Sequence, residues 1–152
     1  MCGIIGYTNN VSNNQSVIEN MLQKISHRGP DDQGYYQDSK ITLGMRRLSI
    51  IDLDSGNQPL FNEDKSLILV FNGEIYNYQV LRAKLISLGH TFTTNSDSEV
   101  IIHGYEEYGN DIVNHLRGMF AFAIYNIHTK ALFIARDILE LNHYFIQLLK
   151  MN

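Results

Sequence analysis

The sequence predicts a single α+β domain in which antiparallel sheet packs against helices. Short apolar runs rich in β-branched residues follow one another across tight turns, which is typical of antiparallel strands. Two predicted helices lie next to each other in the middle of the chain, whereas strands and helices alternate in a doubly wound fold. The length of 152 residues, with 44% hydrophobic and 18% charged residues, is that of one domain that can bury a core.

The first third of the chain predicts one helix among strands. Residues 3–7 form an apolar run that contains Ile4 and Ile5, so they predict a strand. Residues 16–26 carry apolar side chains at i, i+3 and i+4 spacing and predict a helix. Glycine and proline predict a loop over residues 27–32. Strands are predicted at residues 34–36 and 41–52, followed by a turn region at residues 54–59.

The middle of the chain predicts a buried strand followed by a helix. Residues 66–71 are a dense apolar run, which we expect to end at Asn72 and Gly73. Asn77 is a residue type that caps helices, and the helix that it starts is predicted to end at Gly89.

The rest of the chain predicts a strand, a helix and a hairpin. Residues 91–94 are β-branched or aromatic and predict a short strand. A second helix is predicted to start with Ser96 or Asp97 as its cap and to stop at Gly109. Residues 118–125 and 131–135 predict two strands of a hairpin, joined across residues 126–130.

Composition and charge exclude several classes of function. No window of 18 apolar residues exists, and the N-terminus lacks the pattern of a secretory signal, so we expect neither a membrane span nor export. A net charge of -4 argues against nucleic-acid binding. The single cysteine is typical of a reducing compartment, so we expect the cytoplasm. The six histidines lack metal-ligand spacing along the chain, which predicts no metal.

Cys2, directly after the initiator methionine, is the candidate nucleophile. Methionine removal would leave a cysteine with a free α-amine of pKa about 7.7–8.0 beside a thiol of pKa about 8.5. The amine can then accept the thiol proton, which provides a nucleophile with its own base. The alternative is that Cys2 is an incidental small residue before a strand.

Three further positions have both a chemical and a structural interpretation. Asn72 and Gly73 present an amide and a backbone N–H suited to an oxyanion hole, or else form a plain turn. Arg47 can bind a carboxylate through two hydrogen bonds, or else lies at the surface. Asp97 can hold an ammonium group, and it can also cap a helix. Together with Cys2 these groups match a free amino acid that has a side-chain amide, such as glutamine, so we hypothesise amide hydrolysis.

The sequence resembles the class II glutamine amidotransferases, and among them the glutamine-hydrolysing asparagine synthetases. Six segments carry the resemblance, which runs from Met1 to Asp137: MCGIIG at residues 1–6, HRGPD at 27–31, RLSIID at 47–52, NGEIYN at 72–77, SDSEV at 96–100 and GMFAFA at 118–123. The resemblance implies an N-terminal nucleophile hydrolase fold, an αββα sandwich of two antiparallel sheets between helical layers, here C-terminally incomplete.

The resemblance also implies a role for each site residue. Cys2 would form a glutamyl thioester, with Asn72 and Gly73 as the oxyanion hole. Arg47 would bind the glutamine α-carboxylate and Asp97 the α-ammonium. Glu74 would contact the substrate, and main-chain groups near Ile50 would complete the pocket. No cofactor is implied for this chain, because ATP and magnesium serve the family's C-terminal synthetase domain, which uses the released ammonia to amidate aspartate.

The chain departs from the family pattern after Asp137. Relatives continue Arg-Phe-Gly-Ile-Lys-Pro-Leu-Tyr-Tyr, whereas residues 138–146 read ILELNHYFI. With AT-rich codons, a reading frame one base earlier converts residues 140–146 to Gly-Ile-Lys-Pro-Leu-Phe-Tyr, so we hypothesise a single-base frameshift near codon 138. The alternative is a genuine tail that forms an amphipathic helix.

The hypothesis of a frameshift has consequences for domains and partners. We expect residues 1–137 to be an incomplete glutaminase domain, residues 138–152 to be a divergent tail, and the ATP-dependent synthetase domain to be absent. L-glutamine is the expected substrate, and a separate synthetase chain is a candidate partner. The alternative function is an inactive fragment or a non-catalytic partner of such a chain. The oligomeric state is not predicted.

Overall fold

A computed structural model describes residues 2–8, 14–48 and 57–138, with the backbone alone at residue 14. The strands are β1 (Gly3–Thr8), β2 (Asp32–Gln37), β3 (Ile41–Arg47), β4 (Leu60–Phe61), β5 (Leu67–Ile75), β6 (Gly118–Asn126) and β7 (Leu132–Arg136). The helices are α1 (Asn14–Lys24), α2 (Tyr78–Ser87), α3 (Glu99–Tyr108) and the single turn α4 (Ile112–His115), which a 3-10 turn at Gly109–Asp111 precedes. In these described ranges, no helix is long and apolar enough to cross a membrane.

The strands form two antiparallel sheets. The first sheet has the order β1-β3-β2, and the second has the order β4-β5-β6-β7. The central pair of the second sheet is long, because β5 and β6 are paired from Leu67 opposite Asn126 to Ile75 opposite Gly118. The α+β class, the strand at the N-terminus and the C-terminal hairpin are therefore confirmed.

The two sheets face each other across an apolar layer, which we call the inter-sheet core. It contains Ile41, Leu43 and Met45 of β3 together with Ile68, Val70, Ala123 and Tyr125 of the second sheet. Because side chains alternate along a strand, β3 and β5 each send every second residue into this layer. Ile4 of β1 and Cys2, which precedes β1, pack against the same core.

Helices cover the outer face of each sheet. Next to the first sheet, a Cβ atom placed on Gly44 would lie 3.0 Å from a methyl group of Ile18 and 3.4 Å from one of Leu22, so α1 packs closely here. On the second sheet, Leu69 and Phe71 of β5 join buried residues of α2 and α3 in one larger core. The layers are thus helix, sheet, sheet and helix, which confirms the αββα sandwich.

Strand limits differ from the sequence predictions at three places. β5 does not end at Asn72 but continues to Ile75, because β6 pairs with it over its whole length. Residues 91–94 form no strand; the N–H groups of Thr93 and Thr94 are instead satisfied by the carboxylate of Glu99. β3 ends at Arg47, and the rest of the predicted strand over residues 41–52 lies mostly outside the described residues.

The helix starts differ from the predictions in their capping chemistry, and for α3 also in position. Asn77 precedes α2 as predicted but makes no capping bond; its side chain accepts from the N–H of Arg117 and donates to the carbonyl of His115. α3 is preceded by Ser98, not by Ser96 or Asp97, and Ser98 likewise makes no side-chain capping bond. Both helices end near the predicted glycines. Of the tail after Asp137, only Ile138 is described.

Candidate active site

The thiol of Cys2 lies beside the backbone of Leu48, at the end of β3. The N–H of Leu48 points at Sγ with a separation of 3.4 Å, and Sγ lies 3.7 Å from the Leu48 carbonyl oxygen. Cys2 is half-buried, so its sulfur is held by the protein without being sealed from a ligand. The backbone of Leu48 therefore fixes the position of the candidate nucleophile.

The loop before β2 supports this placement of Cys2. Arg28 donates from Nε to the Cys2 carbonyl oxygen at 3.3 Å. A Cβ atom on Gly29 would lie 2.4–2.5 Å from backbone atoms of Arg46 and Arg47, so a glycine is needed for the loop to lie against β3. Arg28 was not predicted as a site residue, and its place in the HRGPD segment is the signal that points to it.

Arg47 belongs to the inner face of the first sheet. It follows Ile41, Leu43 and Met45 at two-residue intervals on β3, and those residues line the inter-sheet core. Its side chain is 6% exposed, and Nη1 donates to Oδ1 of Asn57 at 2.8 Å. The alternative of a surface arginine is therefore wrong.

Asn72 and Gly73 lie within β5 rather than in a turn. Asn72 follows Ile68 and Val70 on the face that looks into the inter-sheet core, and it is 6% exposed. Gly73 has a φ of +153°, and a Cβ atom there would lie 2.1 Å from the Met119 carbonyl oxygen. Glycine is required at this position, because any side chain would collide with the backbone of β6.

Asp97 is tied to the end of β5. Its Oδ2 accepts a hydrogen bond of 2.7 Å from the N–H of Ile75, the residue after Glu74. Asp97 is 6% exposed. Burial raises the pKa of its carboxyl group above the ordinary value, the N–H of Ile75 opposes this effect, and the charge of Glu74 adds to it. A buried carboxylate next to a second one attracts a cationic group.

The contacts join the predicted residues into two groups. Cys2 and Arg47 meet through Leu48 at the end of β3, and Glu74 and Asp97 meet through Ile75 at the end of β5. Cys2 packs on the inter-sheet core, to which β5 also contributes Val70, two residues before Asn72. Ile50 lies outside the described residues.

This arrangement offers complementary chemistry to a small zwitterion. The guanidinium of Arg47 matches a carboxylate, and the buried carboxylate of Asp97 matches an ammonium. Asn72 is a neutral amide donor on the face shared with the nucleophile, as an oxyanion hole needs. Cys2, Arg47 and Asn72 lie on the side of the inter-sheet core, and Asp97 joins the end of β5 through its hydrogen bond from Ile75.

A second cluster of titratable groups lies on the helical side of the second sheet. One side-chain ligand atom each from Glu63, His90, His103 and Glu106 lies within 4.8 Å of the others. The prediction of no metal rested on the spacing of the histidines along the sequence. That spacing does not reveal this set, because its members come from a turn, a loop and α3.

Comparisons with known proteins point in one direction. A family model described as a glutamine amidotransferase domain matches residues 1–147. The chain is 46% identical to the glutamine-hydrolysing asparagine synthetase 1 of Bacillus subtilis over 142 residues, which is 90% of this chain and 22% of that protein. It is 43% identical to the glutamine-hydrolysing asparagine synthetase 2 of Arabidopsis thaliana over 149 residues, which is 96% of this chain and 25% of that protein.

Solved structures show the same fold. The structure described as the allosteric regulatory enzyme of purine biosynthesis is 27% identical, with a TM-score of 0.53 over 66% of this chain and 24% of that chain. The glutamine phosphoribosylpyrophosphate amidotransferase of Bacillus subtilis is 24% identical, with a TM-score of 0.51 over 63% of this chain and 23% of its own; this match supports the fold alone. The chain spans about a quarter or less of the length of these relatives.

Proposed function

The chain belongs to the glutamine amidotransferase domain family, and from this premise we propose that it hydrolyses the side-chain amide of L-glutamine with Cys2 as the nucleophile. The observation that carries the proposal is the position of the Cys2 thiol. Sγ lies against the N–H of Leu48, one residue from the buried Arg47, at the edge of the inter-sheet core. Leu48, which contacts the thiol, and Arg47, whose guanidinium can bind a carboxylate, are neighbours at the end of β3.

Removal of Met1 prepares the nucleophile. The α-amine of Cys2 takes the thiol proton, and Sγ forms a bond to the carboxamide carbon of glutamine. The resulting oxyanion is stabilised by the Asn72 side-chain amide and the Gly73 N–H. The C–N bond then breaks, the proton passes from the α-ammonium to the leaving nitrogen, and ammonia departs. Water attacks the remaining thioester, which releases glutamate and restores the thiol.

Substrate recognition in this proposal uses the two charged ends of glutamine. Arg47 binds the α-carboxylate, for which its planar guanidinium provides two parallel donors. Asp97 binds the α-ammonium, and Glu74 contacts the substrate from β5, the strand that also carries Asn72 and Gly73. Main-chain groups near Ile50 complete the pocket. A buried pair of opposite charges selects the free amino acid over a peptide-bound glutamine, which lacks both charges.

The use of the ammonia follows from the relatives. Proteins named as glutamine-hydrolysing asparagine synthetases are 43–46% identical to this chain. We therefore assign residues 1–137 to a glutaminase domain whose ammonia serves the amidation of aspartate. ATP and magnesium would act in a synthetase segment that lies outside these residues, either in the same protein or in a separate chain.

The test measures ammonia and glutamate after incubation of the purified chain with L-glutamine, once mass spectrometry has confirmed that Cys2 is the first residue. Equal amounts of both products are expected, and Cys2→Ala should abolish them. A glutamine analogue with an electrophilic group in place of the carboxamide should add one adduct, at Cys2. Since the chain has one cysteine, the site of any thiol adduct is unambiguous.

A matched control separates the thiol from the amine. One alanine inserted between Met1 and Cys2 leaves the thiol in the sequence but moves the α-amine to another residue. This variant should also lose the activity, because the built-in base is displaced. Ammonia release at the unaltered rate by Cys2→Ala would refute the proposal, and so would a folded chain with N-terminal Cys2 that neither releases ammonia nor takes up the analogue.

A further inference from the structure

We propose that Glu63, His90, His103 and Glu106 bind a divalent transition-metal ion of the Zn²⁺ class, at a site distinct from the one that contains Cys2. The four residues come from separate parts of the chain. Glu63 lies in the turn between β4 and β5, His90 follows α2, and the other two lie on α3. We call this set the His–Glu cluster.

The distances within the His–Glu cluster are those of a tetrahedral site. His90 Nδ1 lies 3.3 Å from a Glu63 oxygen and 3.6 Å from a Glu106 oxygen. His103 Nδ1 lies 3.3 Å from the other Glu63 oxygen and 3.2 Å from the same Glu106 oxygen. Nitrogen and oxygen ligands about 2.0–2.1 Å from Zn²⁺ in a tetrahedron are about 3.3–3.4 Å apart. With either Glu63 oxygen as the ligand, three of the six edges of such a tetrahedron are present at 3.2–3.6 Å.

Both imidazoles have a carboxylate behind them. His90 Nε2 lies at hydrogen-bond distance, 2.9 Å, from a Glu107 oxygen, whereas His103 Nε2 lies 3.5 Å from a Glu99 oxygen and makes no hydrogen bond with the described residues. In each ring, Nδ1 therefore faces the cluster while Nε2 faces a second carboxylate. Metal-bound histidines generally donate their other N–H to such a partner, which fixes the tautomer and the orientation of the ring.

The two carboxylates of the cluster are also held from outside. The N–H of Thr91 donates to Glu63 Oε1 at 2.9 Å, and the side-chain amide of Asn62 donates to Glu106 Oε1 at 2.8 Å. These bonds leave an oxygen of each carboxylate directed at the histidines. Held ligands lower the ordering cost of binding an ion.

The donor set indicates the class of metal. Two imidazole nitrogens and two carboxylate oxygens are typical ligands of Zn²⁺ and its neighbours, whereas Ca²⁺ and Mg²⁺ prefer oxygen alone. Charge points the same way. Glu63, Glu106, Glu107 and Glu99 converge on two imidazoles, and a dication would neutralise the excess of negative charge.

The position predicts a structural role for the ion. It would join the turn after β4 to the segment after α2 and to α3, which are three parts of the chain with few backbone bonds between them. Four protein ligands leave no open position for a substrate, as in structural zinc sites. The segment that begins at His90 runs to Asp97, so the ion would stabilise the path of the chain to that carboxylate.

The experiment measures metal affinity rather than catalysis, so its result is independent of the proposed function. The tag-free, metal-stripped chain competes with a chromophoric chelator for Zn²⁺, and Co²⁺ replaces Zn²⁺ for absorption spectroscopy. We expect one equivalent of bound metal, an intense visible Co²⁺ spectrum of tetrahedral type, and a rise in the melting temperature on Zn²⁺ addition. His90→Gln, which removes a ligand, should lower the affinity about 100-fold or more.

Two kinds of control complete the experiment. Glu107→Gln changes only the partner of His90 and should lower the affinity about 10- to 100-fold. His128→Gln, at an exposed histidine elsewhere, and Cys2→Ala should bind Zn²⁺ like the unaltered chain. Circular dichroism verifies that each variant folds. The proposal is overturned if the chain binds no stoichiometric metal, if folded His90→Gln binds as tightly, or if binding disappears with Cys2→Ala, which would place the metal at the thiol.

Discussion

Replacement of Asp97 by asparagine separates the stability of the protein from its proposed activity. The carboxylate is 6% exposed and accepts a hydrogen bond of 2.7 Å from the N–H of Ile75, so it is held inside the protein. Burial raises the pKa of this carboxyl group, and the charge of Glu74 adds to the effect although the Ile75 bond opposes it. The ionised form of Asp97 therefore opposes folding at neutral pH.

The expected magnitudes follow from these contacts. Asparagine keeps an oxygen that accepts from Ile75 and carries no charge to desolvate, so the free energy of unfolding should change by no more than about 1 kcal/mol, towards greater stability. Alanine leaves the buried N–H of Ile75 without its acceptor, which costs about 1–3 kcal/mol. In the proposed function both variants lose the buried partner of the substrate ammonium, a loss of about 3–5 kcal/mol, so kcat/KM for glutamine should fall about 100-fold or more.

Urea denaturation followed by circular dichroism, together with ammonia release, tests these expectations. An acid with a raised pKa contributes stability that is complete below its unfolded-state pKa and is lost as the pH rises through the raised value. The advantage of Asp97→Asn should hence be absent below the ordinary aspartate pKa of about 3.9 and grow as the pH rises above it. Asp111→Asn, at an exposed position, is the matched control. A large pH-independent loss of stability in Asp97→Asn, or unaltered glutamine turnover by it, would refute the reasoning.

Two further substitutions test the fold. Gly73→Ala places Cβ 2.1 Å from the Met119 carbonyl oxygen at a φ of +153°, so it should lower the free energy of unfolding by about 3 kcal/mol or more. The control is Gly89→Ala, whose Cβ has no atom within 4 Å and which should lower the same free energy by about 1–2 kcal/mol. Equal losses of stability in urea denaturation would contradict this prediction. Burial alone would raise the pKa of Asp38, but the N–H groups of Lys40 and Ile41 and further donors lower it to about 2. Its stabilisation is therefore present above the ordinary pKa and lost as the pH falls from about 4 to about 2, and Asp38→Asn should show none of this dependence; parallel stability–pH curves would disprove it.

The strands and helices were predictable wherever burial follows a simple period. β5 and β6 are nearly continuous apolar runs, and the pair β6 and β7 spans a short polar turn, so pattern and length indicated both. The ends of elements were less predictable. Asn72 and Gly73 have the composition of a turn, yet they belong to β5 because β6 supplies a partner for their backbone.

The candidate site shows a similar division. Cys2, Arg47, Asn72 and Asp97 were selected because each residue type has a chemistry that glutamine requires. Their neighbours were not selected. Arg28 looked like an ordinary loop residue, but its guanidinium donates to the Cys2 carbonyl oxygen. Contacts of this kind join residues far apart in sequence, and no local pattern encodes them.

Local sequence was therefore sufficient for the fold class, most of the elements and the candidate nucleophile, because periodic burial and residue chemistry depend on short segments. Tertiary structure was needed to show that Arg47 is buried, that Cys2 lies beside Leu48, and that Asp97 meets the end of β5. The His–Glu cluster is the clearest case. Its ligands come from a turn, a loop and a helix, and their distances exist only after those elements pack together.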